Sequence, residues 1–569
     1  MKRRALLIAA GSSLAVACTA GPSGAPTATG GVGSAAASRV DAIIRRMSVT
    51  ERAGQLMNVA FHGRTITPAL EAMIRTRKVG GVIIFKENFD DAAGLRRLVA
   101  DLSRIAAESK TVPLFFSIDQ EGGAVVRISR GVTVLPGNMA LAATPDPAES
   151  VRTATAITAR DLRAIGVNWD LAPDADVNNE PRNPIILNRS FGSDPARVAA
   201  LVTVAIRAFT EARFLCCAKH FPGHGATTTD PHSQLPLLEI DRARLDRVEL
   251  VPFRAAIAAG VPAIMSAHIR VPALDATADL PVTLSPRVMT DLIRHDLSFD
   301  GLLVTDDLEM GALTGTRTES EAGVAAFVAG ADYLLFRFDE SAQLDAHARL
   351  VSAMTAGTLP AARVDASLRR ILGTKERYGI LDAGGPSGSA GTDADRTAAD
   401  ELAARSITVL KAGGLPLRGR IFVASPATPD IAIVEDQPTL GAVLSARLPN
   451  VTAQTITASP AQPEIDGAVA AAGAADVVVV GAADLASSPR QAILVNALAA
   501  VRPTVLVSLR SPYDILAAPG VVGYVCAYTG REPTLRALAD VLGGSRPPTG
   551  TLPVEVPGLY RIGDGVKKL

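Results

Sequence analysis

The sequence predicts an α/β protein, a (β/α)₈ TIM-like barrel followed by a C-terminal α/β sandwich. Three observations predict it. Eight short apolar runs recur between residues 56 and 336, each separated from the next by enough chain for a crossover helix. Polar residues gather at the C-terminal ends of those runs, namely Asp119, Asp170, Lys219, His220, His268 and Asp306, where a barrel of this kind carries its chemistry. The chain has 569 residues, more than one hydrophobic core holds, so a second domain is expected. A doubly wound open sheet is the alternative for the first part.

The elements follow in chain order. Residues 1–17 are expected to be a signal peptide, with Lys2, Arg3 and Arg4 as its basic start and an uncharged stretch over 5–17 too short to span a bilayer. The end of that stretch, Leu14-Ala-Val-Ala-Cys18, resembles a bacterial lipoprotein signal cleaved before Cys18, with leucine one place early. Cys18 is the candidate lipidation site, and an acyl chain there would be the only link to a membrane. An ordinary secretory signal and twin-arginine export through Arg3-Arg4 are the alternatives. Residues 18–38 read as a flexible Gly/Ala/Thr/Ser/Pro tether. Localisation is therefore expected at the extracytoplasmic face of a bacterial membrane.

The barrel is expected over 39–385. Its strands are read at 56–61, 79–85, 114–119, 167–172, 215–219, 263–268, 302–306 and 333–336. A small-residue linker, 386–395, separates it from a C-terminal α/β sandwich over 396–569. There a helix from about Arg396 precedes five apolar runs at 421–424, 431–434, 477–480, 504–508 and 521–527. Gly481 is not followed by a glycine-rich phosphate loop, which excludes a nucleotide site there.

Composition narrows the function. Lys+Arg and Asp+Glu are balanced at 57 each, so no basic surplus points to nucleic acid. Cys216 and Cys217 are chain neighbours that cannot easily bridge each other, and with Cys526 they give no disulfide framework. No cofactor is expected, and the chain is expected to act as a monomer.

The chemistry concentrates in residues 219–236. Pro222, Gly223 and Gly225 break any helix, so this is a strand end running into a polar loop with Lys219, His220, His224, Asp230 and His232. Asp230 and His232, one proline apart, form a candidate acid/base dyad, because a carboxylate fixes the imidazole tautomer and raises its pKa. Three histidines also suggest zinc. A zinc site of the His-x₃-His type needs a helix to bring both rings to one face, and Pro222-Gly223 removes it, so no metal is expected. Asp119 and Arg127 bracket a turn through Gly122-Gly123; they can grip sugar hydroxyls or simply brace the turn. Arg189 follows a loop whose Asp174, Asp176, Asn178 and Asn179 read as turn-capping residues rather than a calcium site. Asp306 ends the seventh run and is the candidate nucleophile, with Asp307 or a neighbour expected to cap the following helix.

Together these motifs resemble glycoside hydrolase family 3, in its β-N-acetylhexosaminidase branch. The resemblance rests on Lys219 to Gly225 followed by Asp230-Pro231-His232, on Asp119 with Arg127, on Arg189-Ser-Phe191 and on Thr305 to Met310. It covers residues 40–385 strongly and the remainder loosely. Proline stands at 231 where the family usually has serine. The resemblance implies that Asp306 is the nucleophile, that His232 is the acid/base and Asp230 its partner. It also implies that Asp119, Arg127, Arg189, Lys219 and His220 hold the sugar. The activity it implies is retaining release of terminal β-linked N-acetylglucosamine, with peptidoglycan fragments as carbohydrate partners. Transfer of the same sugar to phosphate, as a phosphorylase, is the first alternative; a non-catalytic sugar-binding lipoprotein is the second.

Overall fold

The computed structural model describes residues 32–315, 317–382, 385–427 and 437–569. The expected signal peptide and Cys18 lie outside the described residues. The helix Val32–Arg46 takes in the last part of the expected tether, which is therefore helical from Val32 onward.

All eight expected runs of the first region form parallel strands. They are β1 (Met57–Val59), β2 (Gly81–Ile83), β3 (Phe115–Ile118), β4 (Trp169–Asp170), β5 (Ala218–Phe221), β6 (Ala263–Ser266), β7 (Leu302–Thr305) and β8 (Leu334–Phe336). Every one of these residues is buried, because helices cover the outer face and side chains fill the inner one. The closed barrel is not present. The strands divide into one sheet ordered β8-β1-β2-β3-β4 and another ordered β5-β6-β7. Single bridges, Trp169 to Leu215, Asp174 to Lys219 and Val304 to Tyr333, span the two seams. The ladder fails there for identifiable reasons. At one seam Pro173 has no N–H to give. At the other, side chains take backbone donors: Leu303 N donates to Asp332 Oδ2 and Leu335 N to Thr305 Oγ1, both near 3 Å.

Large rings fill the interior. Phe115, Trp169 and Tyr333 pack with centroids 4.9 to 5.8 Å apart. They require glycine beside them: a Cβ at Gly81 would lie 2.5 Å from the Tyr333 hydroxyl. Lys375 enters this core from the helix Ala361–Arg377. Its Nζ donates to Gln55 Oε1 and Gly80 O at 3.0 and 2.9 Å and sits 4.8 Å over the Phe115 ring. Burial pushes its pKa down to about 7. Between that value and the ordinary lysine range near 10.4, the unfolded chain binds a proton that the folded chain does not. Stability from this group therefore rises with pH above 7 and is lost as pH falls through it. Urea unfolding of Lys375→Met should show a flatter pH dependence between about 7 and 10 than the native protein; parallel curves would refute the assignment.

The C-terminal region contains a six-stranded sheet. Its strands are β9 (Thr408–Ala412), β10 (Ile421–Pro426), β11 (Val451–Ile456), β12 (Val477–Ala482), β13 (Thr504–Ser508) and β14 (Gly523–Cys526). The order is β9-β14-β13-β12-β10-β11, parallel except for β9 against β14. Of the five runs read from sequence, four are strands, and 431–434 lies outside the described residues. Two strands escaped the reading. The edge strand β11 is half exposed and alternates apolar residues with Thr452, Gln454 and Thr455, so it lacks an apolar run. The other, β9, adds the antiparallel edge. Separate hydrophobic clusters cover the two faces of the sheet.

This region docks on the loop after β4. Tyr513 Oη donates to Asn178 O at 2.8 Å, Asn188 Nδ2 to Tyr528 O at 2.6 Å, and Arg510 to Pro184 O at 3.1 Å. The fit is close at Gly192, where a Cβ would approach Pro553 O to 2.4 Å. Cys216, Cys217 and Cys526 are free and buried. Among the described residues, no helix is long and apolar enough to cross a membrane.

Candidate active site

A cavity of about 310 Å³ opens at the C-terminal ends of β2 to β8. Asp119, Arg127, Arg189, Lys219, His220, His232 and Asp306 all line it, so residues far apart in the chain meet as expected. Asp230 stands behind His232 rather than in the wall.

One side of the cavity is an interlocked set of charges. Lys219 Nζ lies 2.8 Å from Asp119 Oδ1 and 2.7 Å from Glu121 Oε1. Arg127 donates to the other Asp119 oxygen at 3.0 Å. Arg189 grips Glu121 with a two-pronged contact at 2.9 and 2.8 Å. Burial works against the charge on Asp119, but Lys219 and Arg127 outweigh it and hold the carboxyl far below its usual range. Glu121 is likewise brought down to about 2 by Arg189 and Lys219 against its burial. The set is thus ionised and rigid, which fixes donors and acceptors in place before a sugar arrives. Glu121 was present in the Asp119-Gln-Glu stretch but carried no signal of its own in the sequence. Glu121→Ala takes the two-pronged carboxylate partner from buried Arg189, leaves Lys219 with Asp119, and should cost about 3–5 kcal/mol of stability, read by denaturant unfolding. A loss below about 1 kcal/mol would show the network to be dispensable.

His220 is held by Asp176. Its Nδ1 lies 2.7 Å from Asp176 Oδ2, and its backbone N–H donates to the same oxygen at 3.2 Å. Its Nε2 lies 3.2 Å from the Arg189 guanidinium. Asp176 Oδ1 accepts the His224 N–H. Asp176 is therefore an orienting residue of the site, which corrects its reading as a turn cap. Asp174 does serve the local turn, accepting the Asp176 N–H at 3.0 Å. Burial and the neighbouring Asp176 charge raise its pKa well above the ordinary value.

Metal-ligating spacing involves one of the three loop histidines, His220, and neither of the other two. Among the described residues, Asp174, Asp176 and His220 bring ligand atoms within 4.8 Å of one another. Hydrogen bonds already join Asp176 to His220. His224 is turned to Thr227 Oγ1 at 2.6 Å, and burial lowers its pKa to about 4. His232 belongs to a separate pair.

That pair is the expected dyad. His232 Nδ1 lies 2.8 Å from Asp230 Oδ1, which also accepts the His232 N–H at 2.9 Å. Nε2 is then the atom available to the cavity. The imidazole is 59% exposed, so the dyad sits at the mouth. Its loop is tied to the turn after Asp306: Gly311 N donates to His232 O and Ala312 N to Pro231 O at 3.2 and 3.1 Å.

Asp306 follows β7 directly. Its N–H donates to Ser266 O at 3.3 Å and its Oδ1 accepts the Asp307 N–H at 2.8 Å. Burial disfavours its charge, yet the imidazoles of His220 and His268 and the Asp307 N–H hold the pKa below the ordinary carboxylate value. Asp307 differs. Burial raises it to about 7 despite Arg337 at 3.3 Å. It accepts the Glu309 N–H in a local turn and does not cap the next helix, whose N-cap position Met310 has no side-chain bond. Asp170 and His268 are structural here. Asp170 accepts the Gln120 N–H, and His268 joins Thr283 to Asp307 O. Arg337 and Arg510 line the cavity without having been expected. Both lie outside the motifs, and Arg510 arrives from another sheet.

The chain is similar to known proteins. Residues 48–374 match the family described as "Glycosyl hydrolase family 3 N terminal domain". "Beta-hexosaminidase A" of Pseudoalteromonas piscicida is 36% identical over 390 residues, which are 64% of this chain and 65% of that protein. "Beta-N-acetylglucosaminidase/beta-glucosidase" of Cellulomonas fimi is 30% identical over 554 residues, covering 90% of this chain and 94% of that one. A solved structure of a family 3 β-N-acetylglucosaminidase from Paenibacillus sp. str. FPU-7 superposes with a TM-score of 0.86 and 38% identity. It covers 90% of this chain and all of that one.

Proposed function

The chain belongs to glycosyl hydrolase family 3, and on that premise we propose that it is a retaining exo-β-N-acetylglucosaminidase. One observation carries the reading: an ionised carboxylate, Asp306, and an imidazole oriented by a carboxylate, His232 with Asp230, line the same cavity. In the first half-reaction Asp306 attacks the anomeric carbon as His232 gives its proton to the departing glycosidic oxygen. A glycosyl–Asp306 ester results. In the second, neutral His232 takes a proton from water, the oxygen bonds to the anomeric carbon, and Asp306 leaves as a carboxylate. The network of Asp119, Arg127, Arg189, Lys219 and His220 holds the sugar. One relative is named for hexosaminidase and the other for both N-acetylglucosaminidase and β-glucosidase activity; N-acetylglucosamine is the sugar common to the two names, which supports it here. In this reading β1 to β8 act as a (β/α)₈-type scaffold over 39–385, joined by the linker 386–395 to a sandwich domain over 396–569.

Terminal N-acetylglucosamine on peptidoglycan fragments is the substrate we assign. Export, cleavage before Cys18 and acylation there would hold a monomeric enzyme next to that polymer. Detergent partitioning of the native protein against Cys18→Ala tests the anchor: equal partitioning removes it.

The activity is tested with a nitrophenyl β-N-acetylglucosaminide in plain buffer and in phosphate. Free N-acetylglucosamine, first released as the β-anomer, is expected under both conditions. A sugar 1-phosphate as the main product in phosphate would assign a phosphorylase instead.

A further inference from the structure

Resting on the glycosidase reading, we propose that Arg510 is a substrate-binding residue contributed by the C-terminal region, its guanidinium donating to a carbonyl or carboxylate oxygen of the bound glycoside. Arg510 lines the cavity that holds Asp306 and His232. Among the described residues, every other lining residue lies between 83 and 337, so Arg510 is the described residue that carries the C-terminal sheet into the site.

Its backbone is fixed. Arg510 follows β13, and the Ser508 hydroxyl donates to Ser511 O. Tyr524 Oη donates to Pro512 O at 2.8 Å, and Tyr513 Oη crosses to Asn178 O. The residue is 7% exposed, and one terminal nitrogen donates to Pro184 O. A guanidinium presents five N–H donors in a planar fork, so an anchoring bond and a ligand bond are compatible. Ile185, next to that anchor, also lines the cavity. An apolar surface and a planar donor thus lie side by side on the wall. That pair matches an acetamido group, with its methyl on Ile185 and its carbonyl oxygen on Arg510. It matches equally a carboxylate on the sugar beyond the scissile bond.

The test is steady-state kinetics of native enzyme, Arg510→Gln and Arg510→Lys. Three substrates separate the two sources of the oxygen: nitrophenyl β-N-acetylglucosaminide, nitrophenyl β-glucoside, and an N-acetylglucosaminyl disaccharide whose second sugar bears a lactyl carboxylate. Loss of a charge-assisted hydrogen bond should raise KM roughly 10- to 100-fold in Arg510→Gln, with kcat little changed. Arg510→Lys should recover part of it. A rise with the aryl N-acetylglucosaminide and not the glucoside identifies the acetamido group. A rise confined to the acidic disaccharide identifies the carboxylate. Tyr513→Phe removes a neighbouring strut and should lower Tm without moving KM. Unchanged KM on all three substrates, or a uniform fall in kcat that tracks Tm as in a mere strut, would overturn the proposal. If native enzyme turns over no N-acetylglucosaminide, the glycosidase reading fails first and separately.

Discussion

Asp306→Ala is expected to leave a folded protein whose turnover falls by roughly 10⁴-fold or more. The side chain does little for the fold. It accepts one hydrogen bond, from the Asp307 N–H, and its neighbour His220 is already satisfied by Asp176 and Arg189. Chemically it is well prepared. Its pKa is held below the ordinary value, so it remains a carboxylate through mildly acidic pH. The acid limb of a pH–rate profile should therefore not arise from Asp306. Asp307 is the rival. Its pKa near 7, its turn bond to Glu309 N and its pairing with Arg337 make it a partly protonated and occupied group. A fluorinated N-acetylglucosamine analogue that traps the glycosyl-enzyme should add its mass to the peptide carrying Asp306. Covalent label on Asp307 or Glu309 would assign the nucleophile elsewhere.

Sequence carried the parts of this site that are written in short spacings. Asp230 and His232 are two residues apart, and their pairing follows from that spacing alone. The eight strands were legible because buried parallel strands are continuous apolar runs. What stayed hidden depends on distance. Glu121 meets Arg189 across 68 residues and Asp176 meets His220 across 44, and no local pattern encodes either pairing. Asp176 in particular sits in a run of Asp and Asn that looks like turn chemistry, and Asp174 beside it does that work. Arg510 reaches the cavity only because the C-terminal sheet docks on the loop after β4, a packing event that periodicity does not reveal. The barrel seams were likewise invisible. Whether a backbone N–H finds a ladder carbonyl or the carboxylate of Asp332 depends on side-chain placement, not on apolar patterning.

His232→Ala is expected to slow glycosides with poor leaving groups by roughly 10²- to 10⁴-fold, and activated aryl glycosides far less. The difference isolates the proton. A leaving group that is already a weak base departs without help, whereas a sugar alcohol needs the proton from His232 as the bond breaks. Asp230 acts on the substrate only through His232. It accepts from Nδ1, which leaves Nε2 as the working atom, and it binds the His232 N–H, which aims the ring. Asp230→Ala should therefore show the same leaving-group pattern more weakly. The deglycosylation half gives an independent check. Without a base to activate water, an added small nucleophile such as azide can attack the glycosyl–Asp306 ester directly. Two inversions at the anomeric carbon make that product a β-glycosyl azide. The loop is attached through Gly311 and Ala312 to the turn after Asp306, and these are backbone bonds that His232→Ala leaves intact. A loss of stability is thus not expected to blur the kinetics. Equal losses for good and poor leaving groups, with no azide product, would move the acid/base role away from His232. A carboxylate from the C-terminal region would then be the next candidate.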